Sequence, residues 1–165
     1  NRRLICFGIG LILCVSSSAV ATLRDVPADI VTIQAAINVS ADGDTVLVAP
    51  GTYVENLEFG ARSIRLLSSG GSASTILQPE FAGLTFVHFG GGGSQTEFAG
   101  FTLDGGSMTH VIDVSSSQPW IHNNTIVNHV SYNSNSTEIG SYSGDPLIEF
   151  NLFIHNRSIV GVGIF

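Results

Sequence analysis

From Thr45 onward, apolar residues come in short runs of alternating or near-continuous pattern, each closed by Gly, Ser, Asn or Pro. Runs rich in Val, Ile, Leu, Thr and Phe between such breakers read as short strands. The pattern predicts strands at 45–49, 63–67, 75–77, 84–89, 98–103, 111–114, 120–127 and 147–154. One helix is predicted, over 32–39, because Ile33, Ala36 and Ile37 fall on one face at helical spacing. Asp29 or Thr32 stands ready to cap its start, and Asp42-Gly43-Asp44 ends it in a turn. With no second helical period between the strands, a doubly wound α/β fold is excluded. A sandwich, a barrel or a β-solenoid remains.

Internal repetition selects the solenoid. The segment from Pro119 to Val127 aligns with the one from Pro146 to Ile154, 27 positions on, and Phe98 to Leu103 aligns with Ile121 to Ile126, 23 positions on. In each unit an apolar residue (Phe98, Ile121, Ile148) is followed five positions later by another (Leu103, Ile126, Phe153). Odd spacing would turn one of the two outward along a straight strand. A corner at Gly100, Asn123 or Phe150 lets both face inward. Asn124 and Asn151 fall at equivalent places beside that corner, where Asn bonds neighbouring backbone readily. The stretch 132–143, rich in Ser and Asn, reads as a polar insertion between two matched coils, a location for binding surfaces.

The first residues carry a different message. Arg2 and Arg3, an apolar run from Leu4 through Val15, and Ala19-Val20-Ala21 form the basic, apolar and cleavage regions of a secretory signal. The run is short for a bilayer crossing, which needs about 20 apolar residues. Leu13 before Cys14 does not fit a lipoprotein site. Residues 1–21 are therefore expected to be a signal peptide, 22–44 an N-terminal cap, and 45–165 β-helix coils cut short at the C-terminus. Cys6 and Cys14 leave with the signal, so disulfides do not stabilise the exported chain. Arg24, Arg62, Arg65 and Arg157 then stand against 13 acidic residues, a net charge of −9, with no lysine. Such a surface repels nucleic acid and anionic membranes, and no membrane insertion is expected after cleavage.

Several segments together resemble a known group. Val26-Pro27, the Thr32-Ile33-Gln34-Ala35-Ala36-Ile37 helix, Asp42-Gly43-Asp44-Thr45-Val46-Leu47-Val48 and Pro50-Gly51-Thr52-Tyr53-Val54-Glu55-Asn56 are similar to the opening module of secreted right-handed parallel β-helix proteins of the pectin-lyase-like superfamily. Gly100-Phe101-Thr102-Leu103-Asp104-Gly105-Gly106 and Asn123-Asn124-Thr125-Ile126 resemble its later coils. The resemblance implies an all-β fold, a right-handed parallel β-helix whose N-terminal α-helix plugs the first coil. It does not choose an activity, since the superfamily holds lyases, hydrolases, esterases and adhesins.

Candidate chemistry is sparse. The four arginines lie in no lyase motif of the superfamily, and the mid-chain carboxylates Asp104 and Asp113 lack its paired-aspartate signature, so catalytic residues stay unknown. His110, His122, His129 and His155 show no close ligand spacing, and Asp42-Gly43-Asp44 lacks the remaining ligands of a calcium loop. Gly90-Gly91-Gly92-Gly93 has no following Lys and is a turn rather than a phosphate loop. No metal or cofactor is expected. One constellation stands out: the alignment stacks His122 over Glu149, and Trp120 shares the outward face of His122. An aromatic, an imidazole and a carboxylate on one face suit a glycan contact.

The expected function is an exported, non-catalytic module for adhesion or polysaccharide contact, secreted or at a cell surface. Its expected partners are a polysaccharide and further C-terminal coils of the same chain. The alternative is the N-terminal part of a polysaccharide lyase, hydrolase or esterase whose catalytic coils lie beyond Phe165.

Overall fold

The computed structural model describes residues 20–91, 95–131 and 137–158. Residues 1–19, which hold most of the expected signal peptide 1–21, residues 92–94 with the later glycines of the 90–93 run, residues 132–136 of the polar stretch and residues 159–165 lie outside the described residues.

The chain winds as a parallel β-solenoid of about five turns. It opens with β1 (Leu23–Val26) and α1 (Ile33–Val39), then runs through β2 (Thr45–Val48), β3 (Gly51–Val54) and β4 (Leu57–Glu58). The next turns hold β5 (Arg65–Ser68), β6 (Thr75–Gln78) and β7 (Gly83–Gly90), then β8 (Glu97–Ala99), β9 (Thr102–Asp104) and β10 (Met108–Ser115). The last described turns hold β11 (Trp120–His122), β12 (Thr125–Val127), β13 (Val130–Ser131) and β14 (Thr137–Ser141), then β15 (Leu147–Glu149), β16 (Leu152–Ile154) and β17 (Arg157–Ser158). Equivalent strands of successive turns hydrogen-bond side by side, giving sheets of order β1-β2-β5-β8-β11-β15, β16-β12-β9-β6-β3, β14-β10-β7-β4 and β13-β17. Every pairing is parallel, as a coiled chain requires.

Three columns of apolar side chains form the interior. Val46, Leu66, Phe98, Ile121 and Ile148 stack in register along the first sheet. Tyr53, Leu77, Leu103, Ile126 and Phe153 stack along the second. Leu57, Val87, Ile112 and Ile139 stack along the third. The 23- and 27-residue alignments are thus the physical register. Phenylalanines fill the space between columns, with Phe59 against Phe89 at 4.4 Å and Phe98 over Phe101 at 5.0 Å between ring centres.

The corner that brings both halves of each repeat inward sits where the spacing places it. Gly100, Asn123 and Phe150 take the left-handed conformation, with φ of 85°, 53° and 53°. The asparagines beside it work through their side chains instead. Asn124 Oδ1 accepts the Phe101 N–H at 3.0 Å and its Nδ2 donates to the Phe98 carbonyl at 3.1 Å, one coil back. Asn151 does the same to Asn124 N and Ile121 O. Each Asn satisfies corner backbone that the strand ladders leave unpaired.

The N-terminal end is closed as expected. Ile33, Ala36 and Ile37 of α1 are buried, and Thr32 rather than Asp29 is the cap, accepting from Ala35 N. Asp29 instead accepts from Asp25 N. Glu55 accepts the Ile33 and Gln34 N–H groups of the first helical turn, tying the helix to the end of β3. β1 lies within the cap segment and puts Arg24 in the column of Val46. At the end of a stack a charge is tolerated if paired, and Asp44 pairs it at 2.9 Å.

One expectation fails. The stretch 132–143 is not simply a polar insertion: its described part contains β14, which pairs with β10, and Thr137 through Gly140 are buried. Its Thr and Glu side chains hide the strand because their polar atoms are answered inside the fold, His110 bonding Thr137 and His129 bonding Glu138. The predicted runs 98–103, 120–127 and 147–154 are each two strands divided by the corner.

Candidate functional site

Trp120, His122 and Glu149 do come together, on the outer face of the first sheet. β11 alternates, burying Ile121 in the core column and turning Trp120 and His122 outward. His122 is in register with Glu149 on one side and Ala99 on the other, while Trp120 is in register with Glu97 and Leu147. The indole lies over the imidazole, with ring centres 3.8 Å apart and planes at 28°. His122 is thereby 9% exposed and Trp120 39%.

The hydrogen bonds cross the register rather than following it. Trp120 Nε1 donates to Glu149 Oε2 at 3.2 Å, whereas His122 Nε2 meets Glu97 Oε1 at 2.9 Å. The amide of Asn123 donates to His122 Nδ1 at 2.9 Å, so Nε2 carries the proton shared with Glu97. Arg65 Nε donates to the second oxygen of Glu97 at 2.6 Å. Burial alone would raise the Glu97 pKa, but the hydrogen bonds from Arg65 and His122 and the Arg65 charge outweigh it and hold the carboxyl below its ordinary value.

Glu97, Arg65 and Asn123 are the members that sequence reasoning missed. The 23-residue alignment that matches Phe98 to Ile121 also matches Glu97 to Trp120, so a signal for Glu97 was present. Arg65 lies in register with Glu97, but the coil between them was not aligned. The assembled object is an indole plate, backed by an imidazole, held at its edge by a carboxylate and standing on a rigid parallel sheet.

A second polar place lies on the sheet of β4, β7 and β10. Glu58, His88 and Asp113 are in register on successive coils. His88 Nδ1 meets Glu58 Oε2 at 2.6 Å, and its Nε2 lies 3.5 Å from Asp113 Oδ2. With Asn56, Leu57 and Thr85 they line a groove of about 320 Å³. Gly90 makes room for the ring, since a Cβ there would lie 3.1 Å from His88 Cε1. Asp104 is elsewhere, on β9, bonded by Gln78 and Asn128, and forms no pair with Asp113.

The histidines are dispersed. His110 bonds Thr137 and Tyr142, His129 bonds Glu138 and the Met108 carbonyl, and His155 is exposed at a corner. Among the described residues no group of three His, Cys, Asp or Glu is arranged to hold a metal ion. Two buried side-chain oxygens among the described residues meet no hydrogen-bond partner, Asp113 Oδ1 and Ser117 Oγ. Their residues each border a cavity, Asp113 the groove above and Ser117 a cup at the start of β11.

Fold and site together define a parallel β-helix repeat protein with an aromatic–carboxylate patch on one flat face. Comparison with family models, with curated proteins and with solved structures gave no match.

Proposed function

We propose that this chain is an exported, non-catalytic β-helix module that contacts polysaccharide at a cell surface, with Trp120, His122 and Glu149 as its glycan contact. The observation that carries the reading is Trp120: an indole 39% exposed, yet fixed by His122 behind it and Glu149 at its edge. Sugar rings present C–H faces to flat aromatics and hydroxyls to the groups around them. A plate held in place before binding loses little conformational freedom on meeting its ligand. Export is supported by the basic, apolar and Ala-x-Ala pattern at residues 1–21. Kinship with the pectin-lyase-like superfamily is supported by the motifs at Val26-Pro27, Asp42-Gly43-Asp44 and Pro50-Gly51-Thr52. Further coils of a longer chain are supported as a partner by the core columns themselves: Ile121 and Ile126 are fully buried, whereas Ile148 and Phe153, one coil on, are only partly covered by the described residues.

Trp120 is the chain's single tryptophan, so intrinsic fluorescence reports on this face alone. Titration of the protein with a panel of neutral and acidic polysaccharides should give a saturable change in emission. Binding by calorimetry that survives Trp120→Ala undiminished would overturn the reading.

A second reading, a polysaccharide lyase, hydrolase or esterase that works within these coils rather than in coils beyond Phe165, is favoured by the Glu58–His88–Asp113 groove. An imidazole between two carboxylates is suited to moving a proton. Reducing-sugar or unsaturated-uronate release that His88→Ala abolishes would establish it. Silence across the same panel would remove it.

A further inference from the structure

The turn entering β11 and the turn entering β15 lie one over the other. Asp145 N donates to Ser117 O and Leu147 N to Pro119 O, both at 3.0 Å. Between them opens a cup of about 410 Å³, lined by Ser116, Ser117, Gln118, Ser143, Gly144 and Asp145. The two turns approach this closely because residue 144 is glycine: a Cβ there would fall 2.5 Å from Ser117 O and 2.6 Å from Val114 Cγ1. The lining is hydroxyls, one amide and one carboxylate. Ser117 is 2% exposed and its Oγ has no hydrogen-bond partner. A buried hydroxyl left unanswered opposes folding, and rotation of the Ser117 side chain toward the cup would let a ligand's polar group answer it.

The cup continues the indole plate. Gln118 and Asp145 precede Trp120 and Leu147 by two residues, which are themselves in register. Two residues of chain span at most about 7 Å, and Gln118 and Asp145 are exposed like Trp120 and Leu147. The chemistry also has a sign. Asp145 stands in the cup, Glu149 holds the indole edge, and Arg65, the cation of this face, is already engaged by Glu97. A sugar carboxylate brought here would meet like charge, which interfaces reject. A sugar hydroxyl would donate to Asp145 and accept from Gln118 or a serine.

We propose that the Ser117–Gln118–Asp145 cup is a second saccharide subsite, taking the unit next to the one over Trp120, and that the two together select neutral over uronate chains. The inference rests on the glycan reading of Trp120, and the test separates the two.

The full chain is titrated by calorimetry with glucose-, mannose- and xylose-based oligosaccharides of one to six units, and with galacturonate oligomers of the same lengths. Neutral oligosaccharides long enough to reach both subsites should bind about tenfold more tightly than the shortest, and galacturonate oligomers more weakly than neutral ones of equal length. Ser117→Ala and Asp145→Asn should remove most of that tenfold gain and leave the shortest ligands unchanged, with no loss of melting temperature; Ser117→Ala, which deletes an unanswered buried hydroxyl, should if anything raise it. Trp120→Ala should weaken every length. If the cup variants bind long oligosaccharides like the wild type while Trp120→Ala does not, the cup falls and the indole reading stands. If Trp120→Ala is silent while the cup variants weaken binding, the indole reading falls. Tighter binding of galacturonate oligomers overturns the selectivity, and no binding of any oligosaccharide by the wild type overturns both.

Discussion

Two histidine–carboxylate couples share one geometry and occupy opposite environments. His122 Nε2 meets Glu97 at 2.9 Å, and His129 Nδ1 meets Glu138 at 2.9 Å. The side chains of the first couple are 11% and 13% exposed, and those of the second 0% and 0%. The remaining ring nitrogen makes the further difference. His122 Nδ1 faces an amide donor, so that ring is a single donor. His129 Nε2 faces the Met108 carbonyl, which only accepts, so Nε2 must carry a proton, and a second on Nδ1 is needed whenever Glu138 is ionised. Desolvation by itself would depress the His129 pKa, but the Glu138 and Met108 acceptors and the Glu138 charge outweigh it and raise it above 6.5. The outer couple positions a surface ring. The inner one locks the entry to β13, and β14, to the first residue of β10.

Removing a member from each couple tests this contrast, and the inner couple should show the largest effect. His129→Ala leaves the Glu138 carboxyl buried without its imidazole, and breaking a buried pair by removing one partner costs about 3–5 kcal/mol. Chemical denaturation should show that loss as a lower midpoint. Asn124→Ala is the neutral counterpart. It strips the acceptor from Phe101 N in a buried corner, for which about 1–3 kcal/mol is expected. A cost above that of His129→Ala would mean that the corner ladder, and not the ion pair, dominates this part of the stack.

Acidity gives a third test. A raised folded-state pKa means that the folded protein holds the proton more tightly than the unfolded chain. The His129 contribution is therefore complete below 6.5 and is lost as pH rises through the raised value. Asp44 and Glu97 act oppositely. The Asp44 carboxyl is held below 3.8 by the Ala41 and Thr22 N–H groups and then by Arg24, despite its burial. Glu97 is held below 4.5. Their contributions are complete above those ordinary values and vanish as pH falls through the lowered ones. Melting temperature should decline on the alkaline side in the wild type and lose that decline in His129→Gln. A decline that persists unchanged in the variant would show that His129 is not its source.

The sequence carried the coil more plainly than the couples. Ile121 and Ile148, or Ile126 and Phe153, share a column because apolar residues at a repeated spacing have nowhere else to go, and spacing is visible in one dimension. The helix face was legible for the same reason. Trp120, His122 and Glu149 were found together because one alignment covers all of them. β14 was not found, since a strand whose buried residues include Thr137 and Glu138 looks like a loop until His110 and His129 are seen against it. His110 stands one coil before Thr137 at the 27-residue spacing, but a His and a Thr at that spacing carry no apolar signal. His129 stands nine positions before Glu138, a spacing no repeat marks. Glu97 fell between the two cases, visible in the alignment but without a stated reason to bond His122.

The smallest effect belongs to the outer couple, and it decides whether that couple is functional. His122→Ala removes a ring that is largely covered but reaches water at its rim. Glu97 keeps Arg65, and Asn123 turns to solvent, so no charge is stranded. A stability loss of about 1 kcal/mol is expected, near that of an ordinary hydrogen bond. The larger change should be optical. Without the imidazole at 3.8 Å the indole loses its backing, and Trp120 emission should shift toward the red as water reaches its inner face. If the plate is a ligand surface, glycan affinity should fall about three- to tenfold while stability barely moves, because the cost of fixing the indole passes from folding to binding. If His122→Ala unfolds the protein as readily as His129→Ala does, the two couples are alike after all. The imidazole under the tryptophan would then be structural, with no share in recognition.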